Sequence, residues 1–559
     1  MKFSSKTLSQ TITQLSLAKE ITNIVISPGS RNAPLTIGFT EDSRFNNYSI
    51  VDERCAAFFA LGMAQQTKKP VALVCTSGSA LLNYYPAIAE AFYSDIPLVV
   101  ISADRPEKLL EIGDGQTINQ KNVYENHILY SANCIEGKTH QQHNETVINI
   151  ALNTAIELSG PVHINLPFSE PLYDLVDDLQ VRPQHVPARK VTTINESVTA
   201  EILKLKTLWD TSEKILILMG VQSPDVISET MLQKITADKS VVIMTETTSN
   251  LHSDDTISAI DQLIAPFSET DFKALQPDLL ITLGGMIVSK KVKAFLRNYS
   301  PKNHFHIDSK KAYDSYFSLT GHIKTTPKYV FEQLLAQPLN KVSNYRKTIF
   351  EIKERRVLKH NEYKTKTPYS DFKVYQSIFD VLPNDYQLQL SNSTAIRYAQ
   401  FFKLDKSIAV FCNRGTSGID GSMSTAIGAA NQADRPVLFI TGDLSFFYDS
   451  NALWNNYIPE NFKIIVVNNS GGGIFRVLPK AKTMTHFETF FETRHHLTAA
   501  HVASQYGCHY AKATDLDSLQ LELDKLFTIS EESGPRILEI FTPPELNDQV
   551  LSDYFKYLQ

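Results

Sequence analysis

Two loops in the last third of the chain combine acidic, amide and glycine residues in a pattern that suits a metal ion and a phosphate. They are Gly442-Asp443-Leu444 and Asn468-Asn469-Ser470-Gly471-Gly472-Gly473. Each follows an apolar run, and Asp443 precedes Asn469 by 26 residues, the length of one strand–helix–strand excursion. Carboxylate, amide and carbonyl oxygens suit Mg²⁺, and glycines let the backbone approach a diphosphate. The alternative is a pair of ordinary strand-to-helix turns.

A second group of residues is basic and also follows apolar runs. A single arginine at a strand end is usually solvated or caps a helix, but five cations at successive strand ends favour a shared ligand. Guanidinium groups bind carboxylates through two parallel hydrogen bonds, so the set predicts substrates with several carboxylates. The cations, with the polar residues beside them, are Arg31 with Ser30, Arg105 with Gln116, Lys290, Arg397 with Ser393, and Arg414.

Two segments of the first third also have the residue types of a site. Val51-Asp52-Glu53-Arg54 is expected to end a short apolar strand and open a helix, which makes Glu53 either a proton-transferring acid or a residue favoured by the helix dipole. Thr76-Ser77-Gly78-Ser79 follows the apolar run Val71–Cys75. It predicts an anion or cofactor contact at a helix N-terminus or, equally, a helix cap.

Short runs rich in Val and Ile must position these loops. Because most lack polar alternation, they predict strands buried on both faces, and therefore parallel sheets flanked by helices. Polar connectors near 174–197 and 325–341 divide the 559 residues into three α/β units, at 1–180, 195–335 and 350–559. The predicted strands are Asn23–Ser27, Val71–Cys75, Pro97–Ser102, Val162–Leu166, Lys214–Met219, Val241–Thr245, Asp278–Leu283, Ile408–Cys412, Pro436–Thr441, Phe462–Val467 and Arg536–Phe541.

Composition excludes several classes of protein. The formal net charge is −6 and no basic run occurs, which argues against nucleic-acid binding. The five cysteines form no C-x-x-C pair, which fits a reducing cytoplasm and excludes a disulfide scaffold. Neither a signal peptide nor a membrane span is predicted. The pair His495-His496, with His501, is interpreted as surface or packing rather than as a metal site.

The C-terminal pattern resembles the metal- and diphosphate-binding motif of thiamine diphosphate (ThDP) enzymes, Gly-Asp-Gly followed after about 25 residues by Asn-Asn. Leu444 stands where that motif has its second glycine. The resemblance implies that Asp443, Asn469 and the Gly471 carbonyl bind Mg²⁺ or Mn²⁺. It also implies that Glu53 hydrogen-bonds the pyrimidine N1′ of ThDP and so activates the cofactor.

Six motifs stand in order along the chain: Ser27–Arg31, Asp52–Arg54, Thr76–Ala80, Ala103–Pro106, Asn413–Gly421, and Gly442–Leu444 with Asn468-Asn469. Together they resemble one family of ThDP enzymes, the 2-succinyl-5-enolpyruvyl-6-hydroxy-3-cyclohexene-1-carboxylate synthases of menaquinone biosynthesis. Asn413–Gly421 is the most specific of these motifs, and the middle unit carries the weakest resemblance. The implied cofactor-binding residues are Glu53, Thr76, Ser77, Ile419, Gly442, Asp443, Leu444, Asn469, Gly471, Gly472, Ile474 and Phe475. The implied substrate-binding residues are Ser30, Arg31, Arg105, Gln116, Lys290, Ser393, Arg397, Arg414, Ile474, Phe475 and Leu478.

This family implies decarboxylation of 2-oxoglutarate, followed by conjugate addition of the resulting succinyl carbanion to isochorismate. It also implies a homodimer, or a dimer of dimers, with Glu53 and Asp443 acting across the subunit interface. The alternatives are another ThDP-dependent decarboxylase or carboligase, such as an acetohydroxyacid synthase, and a non-catalytic nucleotide-binding relative. The middle unit has no G-x-G-x-x-G after a strand, so neither FAD nor NAD is expected there.

Overall fold

Three parallel sheets follow one another along the chain. The structure is a computed structural model that describes residues 2–189, 194–336, 341–478, 480–528 and 534–559. The outer sheets have six strands each and the middle sheet has five, and helices flank all three. This confirms the α/β class with mostly parallel sheets.

The first sheet has the strand order β3-β2-β4-β5-β7-β6. The strands of this unit are β1 Phe3–Ser4, β2 Asn23–Ile26, β3 Asn46–Ser49, β4 Val71–Cys75, β5 Leu98–Asp104, β6 Tyr130–Asn133, β7 Val162–Pro167 and β8 Leu175–Val176. Its helices are α1 Thr7–Ala18, α2 Ala33–Thr40, α3 Glu53–Thr67, α4 Ala80–Asn83, α5 Tyr85–Ser94 and α6 Gln141–Leu158. Strands β1 and β8 form a separate antiparallel ribbon.

The middle sheet has the order β10-β9-β11-β12-β13. Its strands are β9 Ile215–Met219, β10 Val241–Thr245, β11 Leu279–Leu283, β12 Asn303–Ile307 and β13 Gly321–Ile323. The helices are α7 Glu196–Thr211, α8 Glu229–Ala237, α9 Ile260–Ile264, α10 Glu269–Leu275, α11 Lys290–Asn298, α12 Pro327–Leu334 and α13 Tyr345–Lys366. The second predicted connector contains a helix, α12. This helix forms because Val330, Phe331 and Leu334 bury an apolar face in the middle core.

The third sheet has the order β15-β14-β16-β17-β19-β18. Its strands are β14 Gln387–Leu390, β15 Ala409–Phe411, β16 Val437–Gly442, β17 Lys463–Asn468, β18 His509–Ala513 and β19 Arg536–Phe541. The helices are α14 Asp371–Val381, α15 Thr394–Ala399, α16 Ser422–Gln432, α17 Asp443–Tyr448, α18 Phe487–Phe490, α19 Ala499–Tyr506, α20 Leu516–Thr528 and α21 Asn547–Tyr557. A 3₁₀ helix, Gly473–Val477, follows the glycine loop.

Each predicted strand is present to within one or two residues at its ends, since full burial makes an apolar run unmistakable. Strands with polar sequences were missed. One of them, β3, replaces the short apolar strand expected before Glu53: it reads Asn-Asn-Tyr-Ser and lies at the edge of its sheet. An edge strand has neighbours on one side only, so its sequence need not be apolar.

Helices α3 and α16 hold the first and third units together within one hydrophobic core. Gly62 on α3 lies against the backbone carbonyl of Thr425, and Gly428 on α16 lies against that of Phe59. A Cβ atom at either glycine would overlap the facing carbonyl, so the two helices can approach this closely only because both positions lack a side chain.

None of the described helices has the length and apolar character that crossing a membrane requires. All five cysteines are buried as free thiols.

Candidate active site

The proposed metal loops leave adjacent strands of the third sheet. Strands β16 and β17 pair in parallel, with Gly442 opposite Val467, so Asp443 and Asn469 follow neighbouring strand ends. Asp443 is 2% exposed. Its Oδ2 accepts a hydrogen bond from Gly471 N at 2.9 Å, and its Oδ1 accepts one from Leu444 N at 2.7 Å. The carboxylate is therefore fixed against the glycine loop.

The two consecutive asparagines differ in how their amides are used. Asn468 donates to Glu539 and to the Leu497 carbonyl, and its Oδ1 accepts from Ser470 N. Asn469 donates from Nδ2 to Asp371 Oδ2 at 2.9 Å, whereas its Oδ1 is buried without a hydrogen-bond partner. A buried unpartnered oxygen is costly unless a ligand completes it, so Asn469 is the better candidate for a metal ligand.

Gly471 is the candidate for the third oxygen. Its φ of +147° belongs to the region that favours glycine, and an added Cβ would meet the Glu492 carbonyl at 2.5 Å. The Gly471 carbonyl accepts from Gly473 N at 3.0 Å, which leaves its second lone pair for a ligand. A Cβ at Gly442 would meet no atom within 4 Å, so there is open space beside this backbone for a phosphate. These residues fit a hard cation and a diphosphate.

His495 lies closer to this site than the sequence interpretation suggested. Its Nε2 is 3.3 Å from Asp443 Oδ2, its Nδ1 accepts from Leu497 N, and its ring packs on Phe447. His496 is exposed, so the packing interpretation describes the first histidine and the surface interpretation the second. Within the described residues, no group of three His, Cys, Asp or Glu side chains could hold a metal ion. Amide and backbone oxygens would therefore have to contribute.

The residues after the glycine loop form a partly open wall. Ile474 and Phe475 lie in the Gly473–Val477 helix and are half-buried, as is Leu444 in α17. The Phe475 ring centroid is 6.2 Å from that of Phe491, and Leu478 is 41% exposed. Gly472 donates its N–H to the Glu492 carbonyl at 2.6 Å.

Asn392, which follows strand β14 of the same sheet, holds one of the predicted cations, Arg414. Its Oδ1 accepts from Arg414 Nη1 at 2.6 Å, and its Nδ2 donates to the Asn413 and Gly418 carbonyls, both at 2.7 Å. Arg397 Nη1 donates to the Ser393 carbonyl at 2.5 Å, one turn away as expected. Asn392 thus connects the segment that contains Arg414 with the segment before Ile419.

Burial and the neighbouring Arg414 lower the pKa of the Arg397 guanidinium. Two guanidiniums this close favour an anion between or beside them. The Ile419 carbonyl accepts from Ser445 Oγ at 3.0 Å, which joins this cluster to the helix that begins at Asp443.

The middle unit contains the predicted Lys290 and also a buried acid, Glu246. Lys290 begins α11 and is exposed, and Ser289 caps that helix by accepting from Val292 N. Glu246 accepts hydrogen bonds from Val288 N and Ser289 N, both at 2.7 Å. Burial raises the pKa of Glu246 to about 7, while the two backbone donors and the charge of Arg414 act in the opposite direction.

In the first unit, three predicted residues share one set of contacts. Ser77 Oγ donates to the Gln116 carbonyl at 3.0 Å, and Arg105 Nη2 donates to the Gly115 carbonyl at 2.9 Å. The Thr76 hydroxyl is buried without a partner, so it is available to a ligand. These contacts bring the loops after β4 and β5 together.

Arg31 and Ser30 lie after β2. Arg31 Nη1 donates to the Phe168 carbonyl at 2.9 Å, and Nη2 is 3.2 Å from the Glu170 carboxylate. Its Nε is buried without a partner, whereas Ser30 is exposed.

Glu53 is the first residue of α3, as the sequence predicts. The helix cap is Asp52, which accepts from Cys55 N, so the Glu53 side chain is not needed as a cap. Asn83 Nδ2 donates to Glu53 Oε2 at 3.1 Å, and Glu53 is only partly buried. Among the described residues, no hydrogen bond connects Glu53 with the loops at Asp443 and Asn469.

Several residues that complete this arrangement carried no sequence signal. Glu90 in α5 is 1% exposed and accepts from Gly415 N, Thr416 N and the Thr416 hydroxyl. It thereby holds the segment with Arg414 from the other end of the chain. Asp371, Asn83 and the partly buried Lys293 were missed in the same way, because no motif contains them.

Comparison with known proteins places both ends of the chain in one class. Residues 6–125 match the family described as thiamine pyrophosphate enzyme, N-terminal TPP binding domain. Residues 392–540 match the family described as thiamine pyrophosphate enzyme, C-terminal TPP binding domain. Thiamine pyrophosphate is another name for ThDP, so the first and third units correspond to a ThDP enzyme.

Relatives that match over the full length identify the family within this class. A protein of Flavobacterium johnsoniae is 54% identical and covers 99% of both chains. One of Christiangramia forsetii is 51% identical over the whole of both chains, and one of Flavobacterium psychrophilum is 53% identical over 99% of this chain and 98% of the relative. Each relative is named 2-succinyl-5-enolpyruvyl-6-hydroxy-3-cyclohexene-1-carboxylate synthase. The chain belongs to the family of these synthases.

Proposed function

We propose that this protein is a ThDP- and Mg²⁺-dependent 2-succinyl-5-enolpyruvyl-6-hydroxy-3-cyclohexene-1-carboxylate synthase of menaquinone biosynthesis. It would decarboxylate 2-oxoglutarate and transfer the remaining succinyl unit to isochorismate by conjugate addition. The observation that carries the proposal is identity above 50% over the full length with synthases of that name. The buried oxygens of Asp443 and Asn469 support the cofactor part of it.

The cofactor would lie between the loops of the outer sheets. When bound, ThDP supplies a nucleophilic carbon and an electron sink for decarboxylation. Asp443, Asn469 and the Gly471 carbonyl would hold Mg²⁺ or Mn²⁺, and the backbone at Gly442, Leu444 and Gly472 would face the diphosphate. Glu53 would hold a proton at the pyrimidine N1′, and Thr76 and Ser77 would contact the same end. Ile419, Ile474 and Phe475 would pack against the rings and exclude water.

The basic residues would hold the substrates, both of which carry two carboxylates. Arg397 and Arg414 are the strongest candidates, because they are held by the consecutive residues Ser393 and Asn392 and the charge of Arg414 acts on Arg397. Their charges would neutralise carboxylates and orient the reacting carbon. The other proposed contacts are Ser30, Arg31, Arg105, Gln116, Lys290, Ser393 and Leu478.

The same proposal includes the assembly and the domains. A homodimer, or a dimer of dimers, would bring Glu53 of one subunit to the metal loops of another. The pyrimidine-binding domain would span 1–180, the central domain 195–335 and the diphosphate-binding domain 350–559. A cytoplasmic location is part of the proposal, since the five free thiols suit a reducing compartment.

The test is to incubate the purified protein with ThDP, Mg²⁺, 2-oxoglutarate and isochorismate. We expect CO₂ release and loss of isochorismate absorbance at matching rates, each dependent on both substrates. Turnover of pyruvate alone, together with a yellow FAD-like absorbance, would favour an acetohydroxyacid synthase instead. Absence of any turnover of 2-oxo acids would favour the non-catalytic alternative.

A further inference from the structure

We propose that Asp371 is a positioning residue that orients the Asn469 amide so that its oxygen, not its nitrogen, faces the metal ion. This inference rests on the proposed function, because it concerns the metal site of that function. Asp371 lies 98 residues before Asn469 and belongs to neither metal loop.

Asp371 is the first residue of α14 and is 1% exposed. Its two carboxylate oxygens are used by two different side chains. Oδ2 accepts from Asn469 Nδ2 at 2.9 Å, and Oδ1 accepts from the Thr542 hydroxyl at 2.5 Å. Its own N–H donates to Asn547 Oδ1 at 2.8 Å. Both carboxylate oxygens are therefore held by side chains and the backbone of the same residue is held by Asn547, which restrains the carboxylate from turning.

An asparagine amide has nearly the same shape in its two flipped orientations, so packing alone discriminates between them poorly. A carboxylate discriminates strongly, because it accepts hydrogen bonds from the amide nitrogen and repels the amide oxygen. With Nδ2 of Asn469 bound to Asp371, Oδ1 must point the other way. That oxygen is the buried atom without a partner.

The neighbouring Asn468 shows what an amide with only a structural role looks like. Its nitrogen and its oxygen are both bonded within the protein, to Glu539 and Ser470. Asn469 differs in that one end is fixed by a carboxylate and the other end is left open. A cation would gain a preorganised ligand there, with no amide rotation required on binding.

The experiment is a double-mutant cycle with Asp371→Asn and Asn469→Asp. Mn²⁺ binding in the presence of ThDP and without substrate is measured by the loss of the free-ion electron paramagnetic resonance signal. With Asn at 469, we expect Asp371→Asn to weaken Mn²⁺ binding about 10–100-fold, the usual effect of removing a group that orients a metal ligand.

In the Asn469→Asp background, the effect of Asp371→Asn on Mn²⁺ affinity should no longer be a loss. A carboxylate at position 469 offers an oxygen in either orientation, and the amide introduced at 371 can donate to it. Asp371→Asn then removes a like-charge contact, so Mn²⁺ binding should be equal or tighter than in the Asn469→Asp single variant. Weaker Mn²⁺ binding in both backgrounds would instead mean that Asp371 is only structural.

Thr542→Val is the matched control, because it removes the other donor to Asp371 and leaves the Asn469 contact in place. We expect it to change Mn²⁺ affinity less than about threefold, well below the effect of Asp371→Asn.

If Asp371→Asn alone does not fold, the comparison of Asn469→Asp with the double variant still tests the reversal. Unchanged Mn²⁺ affinity in Asp371→Asn would overturn this inference alone. Failure of the wild type to bind Mn²⁺ with ThDP would overturn the proposed function too.

Discussion

The two outer sheets have the same architecture but different chemistry. Counted from the first strand of each sheet, both have the order 2-1-3-4-6-5, although their sequences show no repeat. In both, the helix after the second strand carries the close-packed glycine, Gly62 in α3 and Gly428 in α16. The two units therefore pack face to face through equivalent helices.

The loops at equivalent strand ends differ. The third and fourth strands of the third sheet are followed by Asp443 and Asn469, which supply acidic and amide oxygens. The same positions of the first sheet are followed by Thr76 and Arg105, which cannot form a cation site. After the second strand, the first sheet has Glu53 and the third has Arg414. Shared topology determines where the loops meet, and the residue types within the loops determine what each end can bind.

The largest expected effect concerns Glu53, the acid that follows the second strand of the first sheet, where the third sheet has Arg414. Glu53→Gln should bind ThDP normally but lose about 10²–10⁴-fold in kcat, the usual contribution of a positioned acid or base. The amide fills the same space and still accepts from Asn83, but it cannot share a proton with N1′. Steady-state kinetics and ThDP titration are the measurements. Near-normal turnover would falsify the division of roles between the two sheets.

Mixing inactive subunits tests whether the two sheets act across an interface. Asp443→Ala should lose metal binding, and Glu53→Gln should lose turnover, so neither is active alone. In a random mixture, half of the dimers carry one variant of each kind and one intact site, which predicts about a quarter of wild-type activity. Refolded or co-expressed mixtures provide the measurement. Heterodimers that form without any gain in activity would contradict a shared site.

The arginine pair distinguishes the third sheet further. Arg397→Ala and Arg414→Ala should each lower kcat/KM by about one to two decades, because a charge-assisted bond contributes about 1.5–3 kcal/mol. Each variant should affect one substrate more than the other, and lysine should restore only part of the loss. Separate titrations of ThDP, 2-oxoglutarate and isochorismate test this. A main effect on ThDP affinity would assign the arginines to the cofactor instead.

Glu90 tests how far the two units depend on each other. Glu90→Ala leaves the N–H groups of Gly415 and Thr416 without their acceptor. Because Gly415 is buried, the loss of its partner should cost about 1–3 kcal/mol, whereas the N–H of the exposed Thr416 can bond to water. We expect a lower melting temperature and a several-fold higher KM for the substrate bound by Arg414. Glu90→Gln retains one oxygen acceptor, so its melting temperature and its KM should lie between those of the wild type and those of Glu90→Ala. A stability loss with unchanged KM would show that the contact does not position Arg414.

The smallest effect is expected from Glu246 in the middle sheet. Its pKa of about 7 in the folded protein exceeds that of an unfolded glutamate, so it stabilises the fold at low pH. That stabilisation is lost as pH rises from about 4.5 through 7. Glu246→Gln does not titrate, so its stability relative to the wild type should increase between pH 5 and pH 8. Melting curves across this range are the measurement, and a constant difference would contradict the prediction.

Sequence patterns were enough to locate most of the buried strands and the loops that follow them. Apolar runs such as Val71–Cys75 and Val241–Thr245 correspond to strands with the same bounds, because burial on both faces requires an uninterrupted apolar sequence. Asp443 and Asn469 could be selected from their spacing and from the resemblance to ThDP enzymes. Polar strands such as β3 and β14 could not be recognised. Strand β3 lies at a sheet edge, and in the fully buried β14 two glutamines alternate with two leucines, a pattern more typical of a half-exposed strand.

Other groups of the candidate site are brought there by long-range contacts, which no sequence pattern indicated. Asp371 and Glu90 act through hydrogen bonds to residues far along the chain: Asp371 contacts Asn469 across 98 positions, and Glu90 contacts Gly415 across 325. Sequence patterns report local periodicity and short spacings, whereas these contacts depend on how whole units pack. The unpartnered oxygen of Asn469 likewise results from its amide nitrogen bonding to a carboxylate on helix α14. The orientation of that oxygen is therefore a property of the folded chain and not of the Asn-Asn motif.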